Sequence, residues 1–472
     1  MGKMNRLRAY LKSGFRHCGR SACLLLPAIA MAQYGVATSF AGQAAHGPSY
    51  SETVLHQFTG FGKDGVYPLS TPLVRDSSGN LYGTTSFGGA YGLGSIFALT
   101  PTGQVKVLHS FSGKDGFEPF GQLALDASGF LYGTTYTGGA TFVLGGQEGY
   151  GTIFKLATSG AGGKDGASRF TTLYSFTNAA DGGYPTSGVI LDAAGNLYGA
   201  TYNAGTTGGG TLYEFQPTAG QPTVLYNFGA NSSDGGFSLG LAMDAQGNIY
   251  GTDMLGGPYS SNCLQQSYVL DFGCGVVFKV DPSGNETLLH VFSGVSGDGG
   301  SPAGPPMLDS AGNLYGTTLV GGTGTCQSAA FPTGGCGTVF KIDAKGNYTV
   351  PYSFPGTGGH GAGPVGNLVM DSKGGLYGAT EDGGKGNCVS GQGFGNSGGY
   401  YSFYPGCGVA FKLSAGTETI LHKFSGLRDG GNPESGFIED STGNVYGTTY
   451  SGGDVNRCEV PYGCGTVFVL HK

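Results

Sequence analysis

Tryptophan is absent from this 472-residue chain, and charged residues make up only 11% of it. The first absence removes the best platform for stacking on sugars and cations, a part that the 28 tyrosines must then take. Long apolar runs are missing as well. The stretch Cys23–Met31 is broken by Pro27 and followed at once by Gln33, too short for a bilayer span, and no later segment approaches membrane length.

That short apolar stretch reads instead as part of an export signal. Lys3, Arg6, Arg8, Lys12, Arg16 and Arg20 form a basic region without an acid, and Ala30-Met31-Ala32 is a small-residue cleavage site, with Ser39-Phe40-Ala41 as a second choice. The expected organisation is a cleaved signal over residues 1–32, a flexible linker over 33–52 and one repeat domain over 53–472. Cleavage removes six basic residues and leaves 17 basic against 30 acidic, a net charge of −13. Nucleic acid and anionic lipid are excluded as partners on that balance. A secreted or periplasmic monomer, with no membrane span in the mature chain, is expected, and association with the cell surface is the variant of that reading.

Glycine is abundant, at 96 residues, and falls at fixed places between β-branched and aromatic runs, as turns in a folded β protein do. The phrase Asp-x-x-Gly-Asn-Leu-Tyr-Gly-Thr-Thr recurs with variations from Asp76, Asp126, Asp192, Asp244, Asp309, Asp371 and Asp440, about 61 residues apart. In the second copy, Phe120–Leu125, Leu131–Thr135, Thr152–Leu156 and Thr172–Phe176 read as four strands, the content of one propeller blade. Asp-x-x-Gly suits a type I turn capped by its own aspartate, so these seven aspartates are read as structural.

The chain ends complete each other. Residues 53–58 read as a fourth strand with no first three before it, and Gly465–Leu470 as a third strand with no fourth after it. The fold expected is therefore all-β, a seven-bladed β-propeller of four-stranded blades, closed by the N-terminal strand completing the last blade.

Eight cysteines outside the signal form four local pairs, Cys263/Cys274, Cys326/Cys336, Cys388/Cys407 and Cys458/Cys464, each closing at the same phrase of its repeat. Four disulfides in an oxidising compartment are expected; metal ligation by thiolates is the rival, but no histidine or third cysteine accompanies any pair. The pairs lie in long insertions between second and third strands, which in a propeller share a face with the fourth-to-first loops. Rigidified loops on one face are where binding is expected.

The fourth strands carry His56, His109, His290 and His422, or Tyr174, Tyr226 and Tyr352, at one position. A place that takes either ring is read as interblade packing rather than metal or base. The glycine after each repeat tyrosine, such as Gly83 or Gly316, is read as admitting a neighbouring blade. Asp-Gly follows at Asp64, Asp115, Asp181, Asp234, Asp298 and Asp429, with His360-Gly361 in the sixth copy. Calcium is the one cofactor with any basis there, yet the spaced carboxylates of a dedicated loop are missing and turn capping is preferred; no other metal or cofactor is expected. Residues that break the repeat on the loop face, Glu118, Asp253, His360, Glu381 and Asp382, are the candidate binding residues, and no catalytic set is legible.

The phrases Leu108–Gly113, Gly312–Thr318 and Gly335–Lys341 resemble the GloVer tandem repeat of bacterial choice-of-anchor proteins, and more loosely NHL-type propellers. The resemblance implies an exported bacterial protein and brings no catalytic residues; ending at Lys472 straight after a strand, the chain is expected to be released rather than anchored. Three functions follow as expectations. The first is a non-enzymatic propeller presenting its stapled loops to an extracellular glycan, peptide or protein. The second is a hydrolase or lyase acting on polysaccharide or lactone at the channel mouth, and the third a structural component of envelope or matrix.

Overall fold

The computed structural model describes the chain from Tyr50 to Lys472 apart from residues 63, 69–71, 159–168, 230–233, 259–272, 296, 327–333, 387, 389–405 and 459–462. The signal and most of the linker lie outside those residues. The described chain is built of strands gathered into seven antiparallel sheets, and each sheet is one blade.

The repeated phrase makes each blade from local chemistry. In the first copy the Asp76 carboxylate accepts from the backbone of Ser78 at 2.9 Å and Asn80 at 2.8 Å, and from the Tyr82 hydroxyl at 2.9 Å. Aspartate, turn and following tyrosine thus form one bonded unit, and the same bonds recur at Asp126, Asp192, Asp244, Asp309, Asp371 and Asp440.

The second strand that follows pairs with the third, and its glycine is the place where the two strands pack most tightly. A Cβ on Gly83 would lie 2.7 Å from the Phe97 ring and one on Gly316 2.5 Å from the Phe340 ring. Phe97 and Phe340 are the cross-strand partners in the same blade. This corrects the expectation of a neighbouring blade: the glycine makes room for its own blade's phenylalanine.

Blade 2 is formed by Phe117–Leu125, Phe130–Thr137, Thr152–Ala157 and Phe170–Ser175, from the axis outward. Blade 7 takes Ile438–Glu439, Val445–Thr449 and Thr466–His471 from the end of the chain and Ser51–Gln57 from its beginning. Ser51 pairs with His471 and Gln57 with Thr466, so the ring closes as expected. The Phe58 amide donates to Gly465 O at 3.0 Å, the same bond that Phe111 makes to Gly94 in blade 1 and Phe176 to Gly151 in blade 2.

Apolar residues are buried between blades. One cluster packs Tyr82, Ile96 and Phe111 of blade 1 against Leu123, Leu131 and Phe154 of blade 2. The closing joint is packed in the same way, with Val467 of blade 7 against Leu73, Phe97 and Leu99 of blade 1. Burying such faces stabilises by roughly 25 cal/mol per Å² of apolar surface, so the joints are the main source of stability.

Pairs of proline and glycine key the joints. The ring of Pro119 enters the space a side chain would fill on Gly94 of the preceding blade, and Pro68, Pro185, Pro302, Pro364 and Pro433 do the same at Gly465, Gly151, Gly275, Gly337 and Gly408. Nearer the axis, a Cβ on Gly121 would lie 2.1 Å from Gly188 N, and Val189 N donates to Gln122 O at 3.1 Å. Inner strands of blades 5 and 6 meet likewise, with Gly366 N donating to Ala303 O at 3.0 Å. Backbone therefore touches backbone along the axis and narrows the channel.

Candidate functional site

The residue before each of those prolines, and Phe237 before Ser238 in blade 4, occupies one equivalent position in its blade. It lies at the start of the inner strand, on the face that carries the insertions. Tyr67, Glu118, Tyr184, Phe237, Ser301 and Asn432 hold it in the left-handed region, with φ of 58°, 57°, 59°, 70°, 53° and 53°, and Gly363 does so in blade 6. An L-residue takes this conformation only when its surroundings impose it. Here the cause is an interblade bond: Glu118 N donates to Leu93 O at 3.1 Å and Tyr184 N to Tyr150 O at 2.8 Å. The scaffold is constant at this position and the side chain is not.

Second-strand residues following the threonine pair rise beside them, and the two sets make an aromatic arc. Tyr450 stacks on Tyr67 with centroids 4.3 Å apart, Phe87 meets Phe117 at 6.0 Å, Tyr136 meets Tyr184 at 5.4 Å, and Tyr202 meets Phe237 at 5.1 Å. Tyr67, Phe87, Tyr136 and Tyr184 are partly exposed, so the arc reaches the surface of that face.

Glu118 sits within this arc. It is 8% exposed, and its carboxyl accepts no hydrogen bond among the described residues. Burial, with the exposed Glu148 carboxylate adding to it, pushes its pKa up to about 7. Burial also raises the Tyr136 hydroxyl, with Glu118 its foremost charged neighbour. A second acidic group lies at blades 6 and 7, where burial and then Glu381 and Asp382 push Glu434 well up. Glu434 faces Tyr450, whose hydroxyl is raised by burial and then by Tyr67 and Glu434. The Asn432 amide donates to Glu381 O at 3.0 Å, tying these two blades together.

The five candidate residues therefore divide. Glu118 belongs to the cluster at blades 2 and 3, and Glu381 and Asp382 to the one at blades 6 and 7. Asp253 is in neither. It replaces a threonine that elsewhere bonds the third strand, as Thr135 bonds Thr152 at 2.8 Å, but it faces Val276 and is fully buried with neither oxygen bonded among the described residues. Burial raises its pKa well above the usual range, with Glu286 and Asp234 adding to it. His360 pairs through Nδ1 with Glu418, which also accepts from Tyr352 at 2.8 Å, away from the arc. Sequence reasoning missed Tyr136, Tyr184 and Glu434; of these only Tyr184 carried a signal, as the varying residue before a recurrent proline.

The Asp-Gly carboxylates are already engaged. Asp64 accepts from His56 at 2.7 Å, Thr59 N at 2.9 Å and Thr59 Oγ1 at 2.7 Å. Burial alone would raise its pKa, but the bonds from His56 and Thr59 outweigh it and hold the carboxyl low. Asp115, Asp298 and Asp429 bond His109, His290 and His422 in the same manner. These rings also make the expected interblade contacts: His109 stacks on Phe170 at 3.7 Å and His290 on Tyr348 at 3.6 Å. No group of three His, Cys, Asp or Glu side chains among the described residues is arranged to hold a metal ion.

Disulfides join Cys326 to Cys336, Cys388 to Cys407 and Cys458 to Cys464. Cys274 is disulfide-bonded too, while Cys263 lies outside the described residues. The bonds are buried rather than raised on the loops: Cys336 and Cys407 are fully enclosed, and Cys326 lies over Gly356 in the turn after the outer strand. In blade 2, which has no cysteine, the Phe142 ring instead covers Gly113, in the turn after the outer strand of blade 1. No described helix is long and apolar enough to cross a membrane.

A family model described as the Gloeobacter/Verrucomicrobia repeat matches residues 31–264, in accord with the repeated phrases. No curated protein matches the chain. Among solved structures it is similar to a gluconolactonase from Xanthomonas campestris, with 13% identity, 89% of each chain covered and a TM-score of 0.40. It is also similar to an ulvan lyase bound to its sugar, with 11% identity, 87% of this chain and 95% of that one covered, and a TM-score of 0.48. A surface component of the type IX secretion system of Porphyromonas gingivalis shares 13% identity over 88% of this chain and 47% of its own, with a TM-score of 0.46.

Proposed function

This chain carries the Gloeobacter/Verrucomicrobia repeat in a closed seven-bladed ring, and we propose that it is an exported, non-enzymatic carbohydrate-binding propeller that seats a glycan at the centre of its insertion-bearing face. One observation carries the reading: Glu118, 8% exposed and with its pKa pushed up to about 7 by burial, lies beside Tyr136 on the face that carries the aromatic arc. Polar groups withdrawn from water in proteins are nearly always bonded, so a carboxyl largely removed from water at the edge of an aromatic surface suits an external donor. Sugar hydroxyls are such donors, and tyrosine faces pack on the C–H faces of sugar rings. The disulfides support an extracellular or periplasmic setting.

A glycan array probed with the oxidised protein, with calcium and with chelator, tests the reading. Saturable binding to a defined sugar class is expected in both conditions, and its loss is expected when Tyr136 and Tyr184 are both replaced by alanine. Absence of binding to any sugar would overturn it and move weight to a protein partner or a structural role in the envelope.

A second reading has one observation in its favour. A carboxyl held near neutrality, as Glu118 is, has the acidity required of a general acid, which suits a hydrolase or lyase acting on polysaccharide. Turnover of any arrayed glycan, lost in E118Q, would favour it over binding alone.

A further inference from the structure

A cleft of about 440 Å³ opens on the insertion-bearing face between the loop joining the second and third strands of blade 1 and the outer strand of that blade. It shares no lining residue with the aromatic arc. Its size falls in the range of about 300–1,000 Å³ usual for small-molecule sites.

The loop tip is tied down beside the cleft. Ala90 N donates to Ser110 Oγ at 3.1 Å, and the next residue, Tyr91, is 60% exposed, without a hydrogen bond or ring contact among the described residues. Blades 2 and 3 repeat the tie, from Ala140 N to Ser175 Oγ at 3.2 Å and from Thr206 N to Asn227 Oδ1 at 2.8 Å. There the next residues are Thr141 and Thr207, and Thr207 gives its hydroxyl proton to Phe228 O. Of these three blades, blade 1 alone presents an aromatic ring at that place.

The polar lining is only partly used. Asp115 Oδ2 accepts from His109 Nε2 at 2.9 Å, and Oδ1 accepts from Ser112 N at 2.7 Å and Ser112 Oγ at 2.8 Å. A carboxylate has about four acceptor positions, so one is left. Burial would raise the Asp115 pKa, but the bonds from His109 and Ser112 outweigh it and keep the group an anionic acceptor. The Ser110 hydroxyl receives the bond from Ala90 and gives its own proton to no acceptor among the described residues. A donor, an acceptor position and a bare aromatic ring therefore border one cleft.

An extended peptide does not suit it. Leu108 is an extra residue in the outer strand, between Val107, which pairs with Phe97, and His109, which pairs with Ile96. Such a bulge breaks the regular edge on which another strand would add. A compact ligand remains, and a pyranose ring matches the lining: its C–H face packs on a tyrosine, while adjacent hydroxyls act as donor and acceptor. No Lys or Arg lines the cleft among the described residues, and Asp115 repels an anion, so the fitting sugar is uncharged.

We infer that this cleft is a second carbohydrate site, which holds one uncharged pyranose ring against Tyr91 with Ser110 and Asp115 as polar partners. It is separate from the aromatic arc and does not depend on a glycan being seated there. A ligand of about a dozen heavy atoms binds with a dissociation constant on the order of millimolar, so titration rather than an array reads this site.

The absence of tryptophan makes a selective test: Y91W gives the chain its single tryptophan, at the cleft and with an aromatic face retained. Its emission is followed on titration with methyl glucoside, methyl galactoside, methyl mannoside and glucuronate. A saturable change is expected with at least one methyl glycoside and none with glucuronate. S110A in the Y91W background should weaken that binding about fivefold, as the loss of one hydrogen bond implies. Flat emission with all three glycosides, an equal response to glucuronate, or an affinity indifferent to S110A overturns the cleft site and leaves the central reading standing. A saturable Y91W titration beside a blank glycan array supports the cleft and overturns the central reading alone.

Discussion

Tyr226, in the outer strand of blade 3, donates its hydroxyl to Glu286, the first residue of the outer strand of blade 4, at 2.9 Å across the joint. The same oxygen lies 3.0 Å from Asp234 Oδ2. One hydroxyl proton cannot be given to both carboxylates at once, so a proton held by Glu286 eases the contact between the three groups. Fully buried Asp253 adds a third acid to the group.

A pH dependence follows, with a definite sign. Burial, then Asp234, raises the Glu286 pKa from 4.5 to about 7, against a lowering contribution from Tyr226. In the window between these values the folded chain holds a proton that the unfolded chain has released, so stability falls as pH rises. The contribution is intact below about pH 4.5 and lost by the time pH has passed about 7. Melting temperatures of the native chain and of E286Q across pH 4 to 8 check this. The difference between them should shift in favour of E286Q as pH increases, and parallel curves would contradict the shared proton.

The joint between the first and last strands is predicted to govern the stability of the whole ring. Removing residues 51–57 strips the partner from Thr466–His471 and bares the apolar face that packs on blade 1. An open edge and an unfilled joint result, and neither can be covered by the remaining strands. Thermal melts of the truncated and intact chains should differ by well over 10 °C, a shift of several kcal/mol for a domain of this size. Equal melting temperatures would show that closure contributes nothing.

The ring and its closing strand were legible because they depend on local turn chemistry at a fixed period. Asp76, Asn80 and Tyr82 bond one another within seven residues, so the phrase alone announces them. Strand ends were less legible. Blade 2's inner strand begins at Phe117 rather than Phe120, because Leu93 of the preceding blade bonds Glu118 and carries the strand through Pro119. The site was legible only in part. Breaking the repeat marked Glu118, Asp253 and His360 alike, but a departure from pattern does not say what surrounds the side chain. Glu118 meets Tyr136 of its own blade, whereas Asp253 is enclosed within blade 4. Tyr136 and Tyr184 occupy ordinary places in their repeats, and only the assembled ring brings them together at 5.4 Å.

Loss of a disulfide should weaken the core rather than merely loosen a loop. Cys407 is fully buried against Phe424 and Phe437, and its carbonyl accepts from Asn432 of the next blade at 2.8 Å. The double variant C388A/C407A should cost about 3 kcal/mol, the constraint on the unfolded chain from a short loop together with a small loss of packing. Denaturant unfolding of this variant, beside native protein with and without reductant, measures the cost. Reduction should lower the midpoint of the native chain and leave C388A/C407A less affected, and a midpoint insensitive to both would place the bond outside the cooperative unit.

Gly121 is a demanding backbone position near the axis. Its φ is +80°, and a Cβ there would lie 2.1 Å from Gly188 N, which is backbone and cannot swing aside as a side chain can. G121A must therefore either push blades 2 and 3 apart or give up the bond from Val189 N to Gln122 O. Moving the blades would also disturb the contact between Tyr136 and Tyr184 directly above, at the mouth. The expected outcome is a stability loss of more than 2 kcal/mol in denaturant melts, the left-handed strain of alanine and the steric conflict adding together. Glycan affinity should weaken as well, because Tyr184 rides on the inner strand of blade 3 and Tyr136 on the strand paired with the inner strand of blade 2. A G121A protein with native stability and affinity would show that the inner strands do not set the spacing of the mouth. G195A is the control: Gly195 has a similar φ of +87° but open space around its Cβ. It should lose only the backbone part of the penalty, about 1 kcal/mol, and keep its affinity.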